Sequence, residues 1–402
     1  MKSYLAGAGL LVLLAAASDE AAEPLTQLRE IDAPSLAGAG QQNLTVGPDG
    51  RVYLSWIDRL PDSSAALRFA ALGASWSSPR TIAAGNDWFV NWADFPSLLV
   101  WDRGMAAHWL QRSGRGRYSY EVRVSRSADG GQTWSQPVVP HRDGTPTEHG
   151  FVSLWPAGGT VMAAWVDGRK TADSNRSRHE MSLRAAAIEM DGALGPEAEL
   201  DSRICDCCQT AAAVTSSGPV VVYRDRSPEE IRDIAIVREV GGVWTEPRII
   251  GGDNWRINAC PVNGPAVAAE GNRVVVAWYT GANDRRNVKV AFSSDAGASF
   301  GEPVMVDDGR PVGRVAVIMT QGDALVSWLE DTPGGAEVRV RRITASGERG
   351  ESMAVTRTSA ARPSGFPRMV RSGDRVVFAW RDPDTADGAR IRTAIARIAG
   401  NR

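Results

Sequence analysis

One apolar stretch recurs along the chain with a polar or charged residue close behind it: "VYLSWID", "MAAHWLQ", "VMAAWVD", "VVVYRD", "VVVAWYT", "ALVSWLE" and "VVFAWRD". Each is short, rich in Val and Ala, and built around one aromatic residue: Trp56, Trp109, Trp165, Tyr223, Trp278, Trp328 and Trp380. Successive centres lie 50 to 58 residues apart, close to a single period. Around each copy a unit can be parsed. A preceding apolar segment such as "PSLLVW" or "AVAAEG" leads through a Gly-containing turn into the aromatic strand. A variable loop then leads to a third strand ("YEVRVSRS", "NVKVAFSS") and, after a turn, to a fourth ("WSQPVVP", "WTEPRII"). The segments are short, β-branched-rich and punctuated by Gly, Asp, Asn and Pro, which are strand and turn signals. No amphipathic helix interrupts them.

Four short strands per unit at this spacing predict an all-β, single-domain β-propeller. Seven units predict seven blades, with six as the alternative. The last unit, "RMVRSGDRVVFAWRDPDTADGARIRTAIARIAG", supplies only three strands. "EPLTQLREI", ahead of the first unit, has the character of the missing fourth and is expected to close the ring, leaving no open seam.

The chain has 402 residues and a formal charge of −2. That balance gives no electrostatic case for nucleic acid or an anionic membrane. Its first residues, "MKSYLAGAGLLVLLAAASDEAAE", carry a positive start, an apolar run from Leu5 to Ala17 and an Ala-rich end. The run is too short for a comfortable membrane span, so residues 1–18 read as a Sec-type signal peptide and 19–402 as the propeller. The expectation is an exported monomer, periplasmic or secreted, with no membrane span.

The turn after the third strand of the second unit reads "SADGGQTW", and the fifth unit repeats it as "SSDAGASF". These place Ser127, Asp129, Gly131 and Trp134, and then Ser293, Asp295, Gly297 and Phe300, at equivalent positions. The motif resembles the Asp-box of the sialidase-like β-propeller superfamily, and the resemblance covers the mature chain as architecture. In such a turn the Asp accepts backbone N–H bonds, Gly supplies positive φ, and the aromatic packs between strands. The box is structural in that superfamily and implies no activity.

The resemblance implies three arginines for a substrate carboxylate, a Tyr nucleophile paired with a Glu, and an Asp acid/base. Here Asp94 in "DFPSLL" and Gly365 in "GFPRM" stand where the leading Arg is expected, and no inner strand opens with Tyr. Arg256, Arg314 and Arg368 could face the channel. True sialidase chemistry is therefore not expected. The leading expectation is a ligand- or partner-binding propeller. Alternatives are a glycoside hydrolase of the sialidase superfamily and an assembly scaffold. For hydrolysis, the catalytic candidates are Asp94 and Glu148, with Trp88 and Trp92 as sugar platforms.

The superfamily also implies that the loops leading into inner strands share one working face, opposite the Asp-boxes. On that face fall the four cysteines, in "CDCCQTAAAV" and "NACPVNGPAV", and "TEHGFVSLW" adds His149. The ligand-binding candidates are thus His149, Cys205, Cys207, Cys208, Cys260 and Arg256, the ligand being a small molecule, glycan or protein. Three chemistries stay open. Four cysteines in an oxidising compartment make two disulfides, with Cys205 or Cys207 pairing to Cys260. Cys205, Cys207, Cys260 and His149 could instead hold Cu(I) or Zn(II). The third is a cluster of free thiols. In an extended segment Cys205 and Cys207 would face one way and Cys208 the other.

Overall fold

The structure, a computed structural model, describes residues 23–175, 180–383, 385 and 388–400. The signal-peptide expectation, together with Arg176, Arg178 and His179 of the third unit's loop, lies outside them. Among the described residues the only helical elements are short 3-10 turns, and no helix is long and apolar enough to cross a membrane.

Seven antiparallel sheets follow one another around a ring. Their innermost strands are Gly40–Val46, Ser97–Trp101, His149–Ala157, Ala211–Thr215, Ala266–Glu270, Pro311–Thr320 and Arg368–Ser372. Each continues by a tight turn into one of the seven aromatic strands and then outward. Two outer positions depart from the regular pattern. In the second blade the fourth position holds only a bridge between Val124 and Val138. Pro137 and Pro140 flank that bridge, and a residue without an N–H cannot extend a ladder. In the fourth blade the outer strand shrinks to Arg248–Ile250, beside a small hairpin at Val243–Trp244.

Closure is as the three-stranded last unit requires. Leu25–Ile31 pairs antiparallel with Arg390–Ile398, so the first strand of the described chain completes the seventh blade. A buried Leu25 anchors it.

Burial explains the repeat. Each aromatic strand is covered on both sides by neighbouring blades, and the apolar core is divided into eight clusters, two between the second and third blades and one at every other junction. An indole N–H buried there needs an acceptor. The polar residue trailing the motif supplies it: Trp56 donates to Asp58 at 2.8 Å, Trp165 to Asp167 at 2.8 Å and Trp328 to Glu330 at 2.6 Å. Trp278 uses Asp253 instead, at 2.7 Å. In the second blade Gln111 stands at the trailing position, and the Trp109 indole N–H has no partner.

The two Asp-boxes repeat one geometry. Ser127 Oγ donates to Asp129 and accepts from Gly131 N at 2.8 Å, while Asp129 accepts from the backbone of Gln132 and Thr133. Ser293 and Asp295 do the same with Gly297 and Ser299. Gly131 has φ of 80°, and a Cβ there would come within 2.5 Å of the Phe69 ring in the blade next door. Gly297 backs on Ile236 in the same way. The box glycine is thus fixed by a close approach between blades as well as by the turn.

Candidate functional site

The channel inside the ring opens into a cavity of about 290 Å³ lined from all seven innermost strands. Its polar lining includes Asp94, Ser97, Ser153, Gln209, Thr210 and Arg368. Several of these are used up. Thr210 Oγ1 donates to Phe151 O and meets Ser153 Oγ at 2.7 Å; Gln209 donates to Ala93 O and accepts from Gly264 N. Gln209 thereby ties three blade-to-blade loops together across the mouth.

Arg368 is different. Its guanidinium lies over the Phe95 ring at 4.0 Å and makes no hydrogen bond or ion pair with another described residue. Burial lowers its pKa to about 10, which leaves it charged at neutral pH. The other two arginines expected at the channel have other duties. Arg314 donates to the carbonyls of Ala360, Ala361 and Gly365 beneath Trp92, holding the loop into the seventh blade. Arg256 is exposed and bridges to Ile231 in the fourth-to-fifth blade connection.

Asp94 and Glu148 come together, but through a residue that the sequence reading passed over. Tyr120, opening the third strand of the second blade, directs its hydroxyl at both: 3.1 Å to Asp94 and 2.7 Å to Glu148. One hydroxyl proton cannot satisfy two carboxylates, so an ionised pair here is strained. Burial, opposed by the Phe151 N–H and Tyr120, raises Asp94 to about 7. Burial, reinforced by the charges of Asp94 and Asp206, raises Glu148 to about 8. The expectation that the chain lacks a Tyr–Glu pair is corrected by this contact. The pair sits on a third strand rather than an inner one, and Tyr120 is fully buried, stacked at 4.0 Å on Phe89. The proposed sugar platforms also have other partners: Trp88 stacks on Trp109, and Trp92 on Phe366.

His149 opens the inner strand of the third blade but does not join the cysteines. Its ring lies flat on His141, centroids 3.7 Å apart, and its nitrogens face Asp143 at 3.1 Å and Thr147 O at 3.2 Å. Asp167 lies 3.6 Å away, and Arg169 grips Asp167 through two 2.7 Å bonds. Burial works against a charge on His149, but Asp143 and Asp167 outweigh it and raise its pKa. Burial and the charge on His149 lower His141 to about 4.

All four cysteines are free. The expected disulfide to Cys260 is not formed, and the alternation expected for an extended segment fails because Asp206 and Cys207 form a turn. The turn folds Cys208 back on Cys205, with sulfurs 2.8 Å apart, well outside the 2.05 Å of a bond. Cys207 Sγ is 3.9 Å from Cys205 Sγ. Cys207, Cys260 and the Asp206 carboxylate form a second, overlapping group with donor atoms within 4.8 Å of one another. Arg232, itself buried, points Nη1 at Cys205 Sγ (3.5 Å) and at Asp206 (3.1 Å). Burial opposes ionisation of Cys205, but the neighbouring thiols and Arg232 carry its pKa below the ordinary thiol value. Burial raises the thiol of Cys208.

Ring, boxes and channel define a class by fold: a seven-bladed β-propeller that carries two Asp-box turns. No protein-family model matches the sequence, and no curated protein does. Among solved structures, an α-L-arabinofuranosidase of Fusarium graminearum bound to an iminosugar inhibitor is similar over 93% of this chain and 98% of its own, with 13% identity and a TM-score of 0.52. An α-L-arabinanase of Penicillium chrysogenum complexed with arabinobiose covers 93% and 97%, with 13% identity and a TM-score of 0.49. The Trypanosoma rangeli sialidase in complex with the inhibitor DANA covers 90% of this chain and 60% of its own, at 14% identity and a TM-score of 0.46. At 13% identity the likeness to the arabinofuranosidase is one of fold.

Proposed function

We propose that this chain is an exported, monomeric ligand-binding propeller that takes a small anionic molecule into its channel mouth and does not hydrolyse sialosides. The observation that carries the reading is Arg368, a charged group in the 290 Å³ cavity without an acidic partner among the described residues. Arg368 is half-buried with its Nε fully enclosed, so a ligand that supplies the counter-charge is favoured there, and a carboxylate fits the guanidinium fork. The volume suits a monosaccharide acid or a smaller carboxylate rather than a polymer. Hydrolysis is disfavoured because the Asp94–Glu148 gap is filled by the Tyr120 hydroxyl, where a glycosidase must admit its substrate.

Calorimetric titration of the mature protein with glucuronate and N-acetylneuraminate, against glucose as the neutral control, tests the reading. The acids should bind, glucose should not, and Arg368→Met should weaken the acids by about 10-fold or more. Equal binding of acid and neutral sugar, or no effect of Arg368→Met, defeats it. Export is checked on the same sample: its N-terminal sequence should begin at Asp19.

The glycosidase reading has one observation in its favour, the two carboxyls raised to about 7 and 8, since a proton held near neutrality suits a general acid. Turnover of a fluorogenic glycoside that Glu148→Gln abolishes would establish it.

A further inference from the structure

The four cysteines of this chain lie in two segments 52 residues apart, at the rim of the channel, one residue before the cavity-lining Gln209 and four before Gly264. Cys207 packs against the junction of the third and fourth blades, but Cys205, Cys208 and Cys260 belong to none of the apolar clusters between blades. We infer that Cys205, Cys207, Cys208 and Cys260 form a thiolate site for a thiophilic closed-shell metal ion, Cu(I) or Zn(II), without a histidine ligand.

Three features of the cluster carry this. First, the sulfurs make one connected set rather than two isolated pairs. Cys207 lies 3.9 Å from Cys205 and also belongs to the group with Cys260. Thiolates about 2.3 Å from a common tetrahedral centre stand about 3.8 Å apart, so the Cys205–Cys207 spacing already fits. The Cys205–Cys208 contact at 2.8 Å must open by about 1 Å, as it does when a metal enters between two sulfurs. Second, the frame is built to hold them. Cys205 N donates to Arg224 O at 3.0 Å, and the Arg224 side chain is itself locked by the carbonyls of Asn263, Arg232 and Tyr279. The same arginine thus braces the Cys205 segment and, through Asn263, the loop carrying Cys260. Third, Arg232 brings a buried cation to 3.5 Å from Cys205 Sγ. A metal–polythiolate centre is anionic and is offset by such a cation, which Asp206 and Glu230 hold in place beside the sulfurs.

An all-sulfur donor set selects soft ions over Mg(II), Ca(II) and Mn(II). His149 is spoken for by Asp143, Thr147 and His141, which removes it from the ligand set expected from sequence. Binding involves no oxidation: each coordinating thiol releases its proton to water, and the ion enters in the valence supplied. The Asp206 carboxylate, in the same turn, stands beside Cys207 and Cys260 as a partner for solvent or an incoming donor. The inference does not rest on the anion reading, since Arg368 and the sulfurs are separate groups.

The test uses the mature chain, reduced and kept anaerobic, titrated with Cu(I) against bicinchoninate and separately with Zn(II) against a chromogenic chelator. One equivalent of at least one ion should bind, with loss of free thiols in a labelling assay. Buried Cys205 and Cys208 are poor first targets, because their variants risk misfolding. Cys207→Ser and Cys260→Ser, at half-buried and exposed positions, should keep the metal-free melting temperature. Cys207→Ser should cost more than the roughly 10- to 100-fold in affinity that loss of an outer-shell group costs, and Cys260→Ser at least about 10-fold. His149→Gln and Arg368→Met should leave metal affinity unchanged. Wild-type affinity no greater than that of Cys207→Ser, for both ions, overturns the inference. So does a purified protein lighter by four hydrogens that takes up neither ion after reduction. Metal uptake with no acid binding at the channel would sink the anion reading alone.

Discussion

Two buried polar clusters sit side by side at the second and third blades and solve the same problem in opposite ways. In one, Asp94 and Glu148 face a single Tyr120 hydroxyl with no cation in hydrogen-bond contact, and both carboxyls move up toward neutrality. In the other, Asp143 and Asp167 share His149 and Arg169, and both carboxyls move down. Burial raises an acid in both places. What differs is chiefly the supply of positive charge, aided in the second cluster by the Thr145 and Trp165 donors, and this sets whether the cluster stores protons or ion pairs.

The largest effect should come from removing charge where it is paired. Asp167→Ala strands Arg169, His149 and the Trp165 indole in a buried site, and should cost about 3 to 5 kcal/mol in urea unfolding at pH 7. A loss under about 1 kcal/mol would mean that Arg169 finds sufficient partners in Glu197 and water.

Next is the alkaline side of the acid pair. A folded-state pKa above the ordinary carboxyl value means that stability is fully present in acid and is lost as pH rises through about 7 and 8. The melting temperature should therefore fall between about pH 4 and 8 and level off above that. Asp94→Asn should flatten that slope, by an amount on the order of a few kcal/mol at the alkaline end. A wild-type profile flat to pH 9 would show that the cluster is wetter than its burial suggests.

The smallest effect lies on the acid side of the histidine pair. His141, lowered to about 4, contributes stability that is lost as pH falls from about 6.5 toward 4. His149, raised, works the other way and loses its contribution as pH rises through its folded pKa. His141→Phe keeps a flat ring on His149 and should remove only the acid-side slope. Proton NMR titration of the two imidazoles checks the assignment directly.

How much of this was legible in the sequence follows from the range of the forces involved. The aromatic strands, the box turns and the closing segment are local patterns, and burial between identical neighbours repeats them, so Trp56 through Trp380 marked all seven blades. Even the acceptor for several indoles was written two residues downstream, at Asp58, Asp167 and Glu330. The site is another matter. Asp94, Tyr120 and Glu148 come from three separate segments, and only the ring brings them to one hydroxyl. A periodic reading assigned Tyr120 to a strand without seeing what its side chain reached. The cysteines were placed on the right loops, but period-two alternation was assumed across Asp206 and Cys207, where the chain turns. The isolation of Arg368 is a fact about what does not surround it, and no single segment records that.

The ring is closed by a strand near the start of the described chain, and this governs how the molecule can be made. During synthesis the partner of Leu25–Ile31, Arg390–Ile398, emerges some 360 residues after it. Until then the seventh blade cannot form, the first and sixth lack a neighbour on one side, and two sheet edges stay open. Closing so long a loop is slow and entropically costly, and open edges are templates for wrong pairing. The last blade is therefore a latch: folding commits only when these two strands meet, and a truncation that removes Leu25–Ile31 leaves an open arc.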